Sequence, residues 1–261
     1  MAEETQYTAN TGMRTISTAN SNLDGSGSIS EAIITGASNG TIIKTVTIKA
    51  IGNTTHGMVR LFIYDGSNTK LASEIEIPAV TKSSVDPAFE ITIPVDYALK
   101  SGWSLRASTE KAESFNIIAE GLNWTYYAAS VRPESTKYTA NTGLATISTA
   151  NTNLDGTGTL GTILTAASNG TQIQTITIKS LVSTTAGMIR LFLYDGSNTK
   201  LLTEIPVDGI TKSATNNSFS RIIDFNGQGF ALKSGWILKA STEIGESFNI
   251  VAEGLNWEYP A

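Results

Sequence analysis

The sequence predicts an all-β protein made of two tandem β-sandwich domains of jelly-roll type. Three observations lead to this prediction. Threonine, a β-branched residue that favours strands, accounts for 36 of the 261 residues, and only 16% of the residues are charged. Short runs of alternating apolar and polar residues are separated by turn signals, and no segment shows the spacing of an amphipathic helix. Finally, the chain contains one unit twice.

The repeat covers most of the chain. Tyr7–Gly12 and Tyr64–Leu71 recur as Tyr138–Gly143 and Tyr194–Leu201. Three later segments recur in the same order: Ala98–Trp103 as Ala231–Trp236, Glu113–Ile117 as Glu246–Ile250, and Ala119–Trp124 as Ala252–Trp257. A unit of about 120 residues has the size of a domain and is too long for a solenoid repeat.

The repeat also predicts the domain boundaries. We expect an N-terminal tail at residues 1–6, a first β-sandwich domain at 7–127, a linker at 128–137, and a second β-sandwich domain at 138–261. The linker segment is polar, contains an Arg-Pro step and has no counterpart in the other copy, as is typical of an interdomain connection.

Six runs in the first unit have the residue pattern of strands. They are Thr41–Ile51, Met58–Tyr64, Lys70–Ile77, Phe89–Val95, Trp103–Thr109 and Ser114–Glu120. The first is rich in β-branched residues, and the second alternates, with Val59, Leu61 and Ile63 on one face. Two weaker strands are expected around Thr15–Thr18 and Ile29–Thr35. Seven or eight short strands per unit are typical of a β-sandwich, but these patterns leave the strand order open.

An Asp-Gly dipeptide follows the second predicted strand in each unit. Asp65-Gly66 and Asp195-Gly196 each stand between two runs with strand character. Because this dipeptide favours tight turns, the sequence predicts that both lie in hairpin turns joining adjacent antiparallel strands.

Composition excludes several classes of function. The chain has no cysteine and a single histidine, so it has no disulfide framework, no thiolate zinc site and no cysteine nucleophile. The net charge is −5, and residues 7–127 and 138–261 each carry two more acidic than basic side chains. Neither half has the basic patch of a nucleic-acid-binding protein, and no apolar run reaches the length of a membrane helix. We therefore expect no nucleic-acid and no membrane partner.

The polar candidates for a site are weak. His56 is replaced by Ala186 in the second unit and has no recognisable catalytic partner, so we expect a turn residue. Asp24–Ser28 and Asp155–Thr159 are short loops that could wrap a calcium ion, but each supplies one carboxylate, and a tight glycine turn explains them equally well. We expect no metal and no cofactor.

The carboxylates and tryptophans leave two further alternatives. Glu74 and Glu76 could act as a glycosidase pair, but the second unit keeps only Glu204, so we expect no enzyme and no catalytic residue. The four tryptophans recur in pairs, and they could form a sugar-stacking platform or fill the core, of which we favour core packing. They are Trp103, Trp124, Trp236 and Trp257. The residues of a binding surface stay unknown at this level.

Several motifs of the chain resemble a known group of proteins. They are Gly57–Gly66, Glu74-Ile75, Phe89-Glu90, Ser101–Thr109 and Glu113–Asn116. Together they resemble small proteins encoded among the virion genes of tailed bacteriophages and prophages. The resemblance spans about Gly40–Ala119 and Gly170–Ala252, carries no catalytic motif and transfers no functional residue. This chain differs from the usual single copy by having two.

The resemblance implies a structural protein of the virion, assembled in the cytoplasm of the bacterial host. Its most specific form is a capsid decoration protein that binds the outer capsid lattice, with the major capsid protein or other virion proteins as partners and a homo-oligomer left open. Two linked modules on neighbouring lattice sites would gain avidity. The alternative is a tail or fibre component, or a carbohydrate-binding recognition module with a glycan as partner.

Overall fold

A computed structural model describes residues 5–126, 137–213, 215–225 and 229–258. The chain divides into two compact units. All regular elements of the described residues are β-strands, so the predicted all-β class is confirmed. None of these residues belongs to a helix that is long and apolar enough to cross a membrane.

The first unit is an eight-stranded jelly roll. Its strands are β1 (Thr5–Ile16), β2 (Ile34–Thr35), β3 (Thr41–Ala50), β4 (Gly57–Tyr64), β5 (Thr69–Ile77), β6 (Glu90–Leu99), β7 (Ser104–Thr109) and β8 (Phe115–Tyr126). They form two four-stranded sheets in the orders β1-β8-β3-β6 and β2-β7-β4-β5. All neighbours are antiparallel. The first strand pairs with the last, β2 with β7, β3 with β6, and β4 with β5. This nested pairing is the winding of a jelly roll, which consists of two Greek keys.

The second unit repeats this order. Its strands are β9 (Lys137–Ile147), β10 (Gly161–Thr165), β11 (Thr171–Ser180), β12 (Gly187–Tyr194), β13 (Thr199–Val207), β14 (Ser220–Asp224), β15 (Phe230–Leu232), β16 (Ile237–Thr242) and β17 (Phe248–Glu258). The sheets are β14-β11-β17-β9, with β15 also on β11, and β10-β16-β12-β13. The place of β6 is therefore taken by two shorter strands on the same edge. The jelly-roll prediction is confirmed in both units.

The core of the first unit lies between its two sheets and is centred on a cluster of apolar side chains. Ile43, Val46 and Ile48 of β3 face Val59 and Leu61 of β4 across the sandwich, and all five are fully buried. Ile63 packs against the same cluster, which confirms the predicted alternation of β4. On the remaining face of β4, Arg60 and Phe62 are also buried, contrary to what alternation alone would suggest.

A loop covers that second face. We call residues 17–28 the first strap and residues 148–159 the second strap. In the first strap the N–H of Asn20 donates to Thr109 O on β7 at 2.7 Å. The carbonyl of Asn20 accepts a hydrogen bond from Arg60 on β4, and a Cβ on Gly25 would lie 2.5 Å from Thr69 O on β5. The strap therefore crosses three strands, which explains why Arg60 and Phe62 are buried beneath it.

Two predicted strands at the start of the unit were misplaced. The strand expected around Thr15–Thr18 is in fact β1, which starts at Thr5 and pairs along its whole length with β8. For the same reason β8 continues six residues past the predicted end at Glu120. The expected strand at 29–35 is regular only at Ile34–Thr35. Hydrogen bonds from this segment still reach β7, because Ile33 N donates to Leu105 O at 2.8 Å.

The predicted boundaries fall partly on residues that are not described. Of the predicted tail, residues 1–4 lie outside the described part of the chain, and Thr5 already belongs to β1. Of the predicted linker, residues 128–136 lie outside it, and Lys137 is the first residue of β9.

Candidate binding surface

The most distinctive exposed feature of each unit is the hairpin that follows β4 or β12. Strands β4 and β5 pair from Tyr64 and Thr69 outward, so the turn consists of residues 65–68. Strands β12 and β13 pair in the same way from Tyr194 and Thr199. The prediction that both Asp-Gly dipeptides lie in hairpin turns between paired antiparallel strands is confirmed.

The turn is held rigid by its own hydrogen bonds. Asp65 Oδ1 accepts hydrogen bonds from the backbone N–H groups of Ser67 at 2.8 Å and of Asn68 at 2.7 Å. Gly66 has a φ of 100°, a left-handed conformation that favours glycine, and its carbonyl accepts a hydrogen bond from the Tyr64 hydroxyl at 2.6 Å. The second unit reproduces each of these bonds at the same distances.

A cation covers the aromatic ring at the base of each hairpin. The Arg106 guanidinium carbon lies 3.8 Å from the centroid of the Tyr64 ring. In the second unit the Lys239 Nζ atom lies 4.3 Å from the centroid of Tyr194. Because the ring face is negative, either cation is attracted to it, and the contact survives the exchange of arginine for lysine.

These contacts explain only part of the sequence that the two hairpins share. Asp65, Gly66 and Asn68 are needed to form the turn. Ser67 and Lys70 are exposed, and neither their side chains nor those of Ser197 and Lys200 form a hydrogen bond or ion pair with the described residues. The hairpin thus presents the same polar side chains twice, on a turn that is rigid before it meets any partner.

Three aspartates in turns accept hydrogen bonds from residues two or three positions later in the chain, and these bonds lower the pKa of each carboxyl group. The N–H groups of Asn68 and Ser67 lower the pKa of Asp65. The hydroxyl and N–H of Ser26 lower the pKa of Asp24. The N–H and hydroxyl of Thr157 act in the same way on the pKa of Asp155. In each case the hydrogen bonds favour the charged carboxylate.

These shifts predict an acid-labile contribution to stability. A pKa that is lower in the folded chain stabilises the fold above the unfolded value, about 3.9, and this stabilisation is lost as the pH falls below it. We expect the combined change Asp24→Asn, Asp65→Asn and Asp155→Asn to flatten the loss of stability between about pH 4 and pH 2. Urea unfolding at several pH values measures this. Asp208→Asn is the control, and an equal slope in both variants would contradict the prediction.

His56 lies on the surface, as the sequence predicts for a turn residue. Its Nδ1 atom is 3.8 Å from Glu76 Oε1, and both side chains are more than two thirds exposed, at 72% and 71%. Among the described residues, no other side chain of a kind used in catalysis forms a hydrogen bond with His56 or Glu76. The structure thus gives His56 and Glu76 a loose surface contact only.

The two candidate calcium loops belong to the straps, and a side-chain amide fills their centre. Asn20 Nδ2 donates to Ser26 O at 2.9 Å and to Ser28 O at 3.1 Å, so the inward carbonyl oxygens are already paired. Asn151 Nδ2 does the same in the second strap, with Thr157 O and Thr159 O. Within the described residues no three acidic or histidine side chains cluster in a way that could hold a metal.

The candidate carboxylate pair is divided between two roles. Glu74 accepts a hydrogen bond from Arg60 Nε at 2.9 Å, while Glu76 is exposed. In the second unit Glu204 is buried and accepts from Arg190 Nε at 3.0 Å. Arg190 Nη2 also lies 3.4 Å from Glu243 Oε1. These carboxylates hold an arginine beneath the strap, a role that the sequence interpretation missed.

The tryptophans pack against the protein. Trp236 and Trp257 are each 8% exposed, and Trp103 packs against the core of its unit. A Cβ on Gly40 would lie 2.9 Å from the Trp124 ring, so this ring rests directly on the backbone. Core packing is confirmed for Trp103, Trp236 and Trp257, whereas Trp124 is half-buried.

The strand order and the repeat define this chain as a tandem jelly-roll protein with a rigid exposed hairpin on each unit. No protein-family model matches the sequence, and no curated protein matches it.

Solved structures with weak overall similarity include one bacterial and two viral proteins. The chain is similar to the CBM22-1-CBM22-2 tandem domain of Paenibacillus barcinonensis Xyn10C, with 9% identity, a TM-score of 0.26, and coverage of 97% of this chain and 93% of that one. It is similar to the STIV MCP with 10% identity, a TM-score of 0.29 and coverage of 97% and 98%. It is also similar to PBCV-1 VP54, fitted into a cryo-EM reconstruction of the virophage Sputnik, with 7% identity, a TM-score of 0.26, and coverage of 99% of this chain and 95% of that one. At these TM-scores the fold assignment rests on the strand order alone.

Proposed function

We propose that this protein is a structural component of a tailed-bacteriophage virion that decorates the outer surface of the capsid and carries out no chemistry. The hairpin is the observation that carries the proposal. Its eight residues, Tyr64–Leu71 and Tyr194–Leu201, are identical in the two units. Ser67 and Lys70, and their counterparts Ser197 and the half-buried Lys200, have side chains without a hydrogen bond or ion pair to the described residues and are therefore available to a repeated partner surface.

A repeated lattice is the partner that suits two identical presentations. Each hairpin is stiffened by its own hydrogen bonds, so docking costs little conformational entropy. Once one hairpin has bound, the other is held near the next site at an effective concentration of about millimolar. A pair of weak contacts then gives a strong attachment, provided that sites recur at a matching distance.

The charge of the chain supports the outer surface over the interior of the head. Residues 7–127 and 138–261 each carry two more acidic than basic groups, so packaged DNA would repel both. The resemblance of both units to virion proteins of tailed phages supports the same assignment.

The test is titration of the purified protein onto phage particles that lack it. We expect saturation at a number of copies commensurate with the capsid lattice sites. Attachment only at the tail vertex would instead place the protein in the tail or fibre. Binding to a glycan array with no binding to particles would favour a recognition module, and hydrolysis of a glycan would contradict the absence of chemistry.

A double variant tests the hairpins themselves. We expect Lys70→Glu with Lys200→Glu to weaken particle binding by more than about tenfold, because the loss at one hairpin is compounded by the loss of avidity at the other. Lys111→Glu with Lys233→Glu changes the net charge equally at exposed lysines outside the hairpins and should bind as the wild type does. Equal loss in both variants would indicate a general charge effect and contradict docking through the hairpins.

A further inference from the structure

An apolar row crosses the outer face of one sheet of the second unit. Leu144 pairs with Val251, Val251 with Thr177, and Thr177 with Ile222, so the four side chains share one face of β9-β17-β11-β14. Their sequence neighbours Ile176, Ile178 and Ile250 are fully buried in the core, which places the row on the outside. Leu144 is 74% exposed and Ile222 is 63% exposed. Val251 lies between these two exposed side chains in the row, and a continuous apolar stretch on the outside of a sheet is typical of an interaction surface.

The rows on either side of the apolar row carry opposite charges. On one side the sheet presents Thr142, Glu253, Thr175 and Asp224. On the other side it presents Thr146, Asn249, Lys179 and Ser220. The face is therefore acidic, then apolar, then basic along the strand direction.

We propose that this face binds a second copy of the chain, with the two sheets facing each other about a two-fold axis that runs along the apolar row. This operation leaves the row in place and reverses the strand direction, so Leu144 meets Leu144 and Ile222 meets Ile222. The basic row of one copy then lies over the acidic row of the other. Lys179 comes to lie over Thr175 of the second copy, between its Glu253 and Asp224.

The charges select this arrangement among the two-fold pairings of the face. A two-fold axis along the strands would place the acidic row over the acidic row of the second copy and bring the two Lys179 side chains onto neighbouring strands of the same row, which like charges oppose. The axis along the row instead gives a self-complementary contact in which Lys179 of each copy lies between Glu253 and Asp224 of the other. It also keeps the strands of the two sheets roughly aligned, as in other packed sheets.

The size of the face predicts a weak dimer. Three rows on four strands cover on the order of 300 Å² of sheet, compared with about 800 Å² per partner in a stable complex. We therefore expect dimers to form reversibly at high protein concentration, as when copies are crowded on a surface. The inference concerns self-association alone and does not depend on the proposed place in a virion.

Sedimentation equilibrium of the full chain over a wide concentration range tests the apolar row. We expect a reversible monomer–dimer equilibrium for the wild type and a dissociation constant raised by more than about tenfold in Leu144→Glu with Ile222→Glu. Leu23, in the first strap, is also an exposed leucine, at 49%. Leu23→Glu is therefore the matched control and should dimerise as the wild type does. A monomeric wild type throughout the range would overturn the proposal.

A charge exchange tests the two-fold arrangement. Lys179→Glu should weaken the dimer because it places an acid between two acids of the second copy. Adding Glu253→Lys to the same chain should restore part of the lost affinity, since both copies then carry the exchange. No restoration would overturn the proposed axis. If the wild type stays monomeric and Leu144→Glu abolishes binding to phage particles, the face belongs to the capsid contact and the self-association proposal fails while the proposed function stands.

Discussion

Replacing Arg190 by alanine is expected to destabilise the second unit by about 3–5 kcal/mol, because it leaves buried carboxylates without their counter-charge. Arg190 and Glu204 have side chains that are 1% and 2% exposed, and their atoms Nε and Oε1 are 3.0 Å apart. Arg190 also donates to Asn151 O at 3.2 Å, which attaches the second strap to β12. The change therefore removes an ion pair and a strap contact together.

The first unit supplies the matched control. Arg60 makes the corresponding contacts with one carboxylate and with the strap, with Nε 2.9 Å from Glu74 Oε1 and Nη1 3.2 Å from Asn20 O. The side chain of Glu74 is 39% exposed, so water can solvate it when the arginine is removed. We expect Arg60→Ala to cost only about 1–2 kcal/mol. The difference between the two variants measures the combined effect of the deeper burial of Glu204 and of the additional pair between Arg190 and Glu243.

Urea unfolding of the full chain measures both variants, and hydrogen exchange of peptides from β4 and β12 assigns the loss to a unit. Arg190→Met with Glu204→Leu should recover most of the stability, because apolar side chains of similar size replace a buried ion pair without leaving a charge behind. An Arg190→Ala variant no less stable than Arg60→Ala would show that water reaches Glu204 and would contradict the prediction.

The sequence predicted the central strands because their side chains alternate against an apolar core. Val59, Leu61 and Ile63 show this period directly, and the Asp-Gly turn fixes where β4 ends. β1 has no such period. Half of its residues are threonine, asparagine or glycine, and its position depends on pairing with β8, about one hundred or more residues away. A strand specified by distant backbone pairing gives little local signal.

The buried arginines were missed for a related reason. Arg60 alternates with apolar residues, which predicts an exposed side chain, and only the strap reverses this. Counting back from the turn would pair Arg60 with Ser73. A bulge between Leu61 and Phe62 shifts the register by one, so that Arg60 pairs with Glu74. Neither the strap crossing nor the bulge is visible in the residue pattern, whereas the hairpin, which is specified by its own four residues, was predicted correctly.

Gly12 lies in the middle of β1, although glycine is unfavourable inside a strand. The close approach of the Ile33 backbone explains why, and it supports a second large prediction. A Cβ at this position would lie 1.8 Å from Ile33 O and 2.7 Å from the Ile33 carbonyl carbon. The Ile33 segment cannot easily move away. Its N–H donates to Leu105 O at 2.8 Å, and its side chain is 5% exposed in the core. The two backbones thus approach too closely for any side chain other than hydrogen.

We expect Gly12→Ala to destabilise the first unit by about 3 kcal/mol or more, since the methyl group meets the backbone of Ile33 and Ile34 and the sandwich must open to admit it. Gly143 is the repeat counterpart, with a Cβ position 2.1 Å from Ile163 O, and Gly143→Ala should affect the second unit to a similar extent. Urea unfolding measures both, and hydrogen exchange should show β1 or β9 losing protection first.

Gly52 provides the control for these alanine variants. A Cβ there would meet no atom within 4 Å, and Gly52 has no left-handed φ, so Gly52→Ala should change the free energy of unfolding by less than about 0.5 kcal/mol. If Gly12→Ala were equally neutral, β1 would have to lie farther from the Ile33 segment than the structure places it. The close approach of those two segments would then not be what requires glycine in this strand. A large loss in Gly12→Ala and Gly143→Ala alone would instead assign the requirement for glycine to the same backbone contact in both jelly rolls.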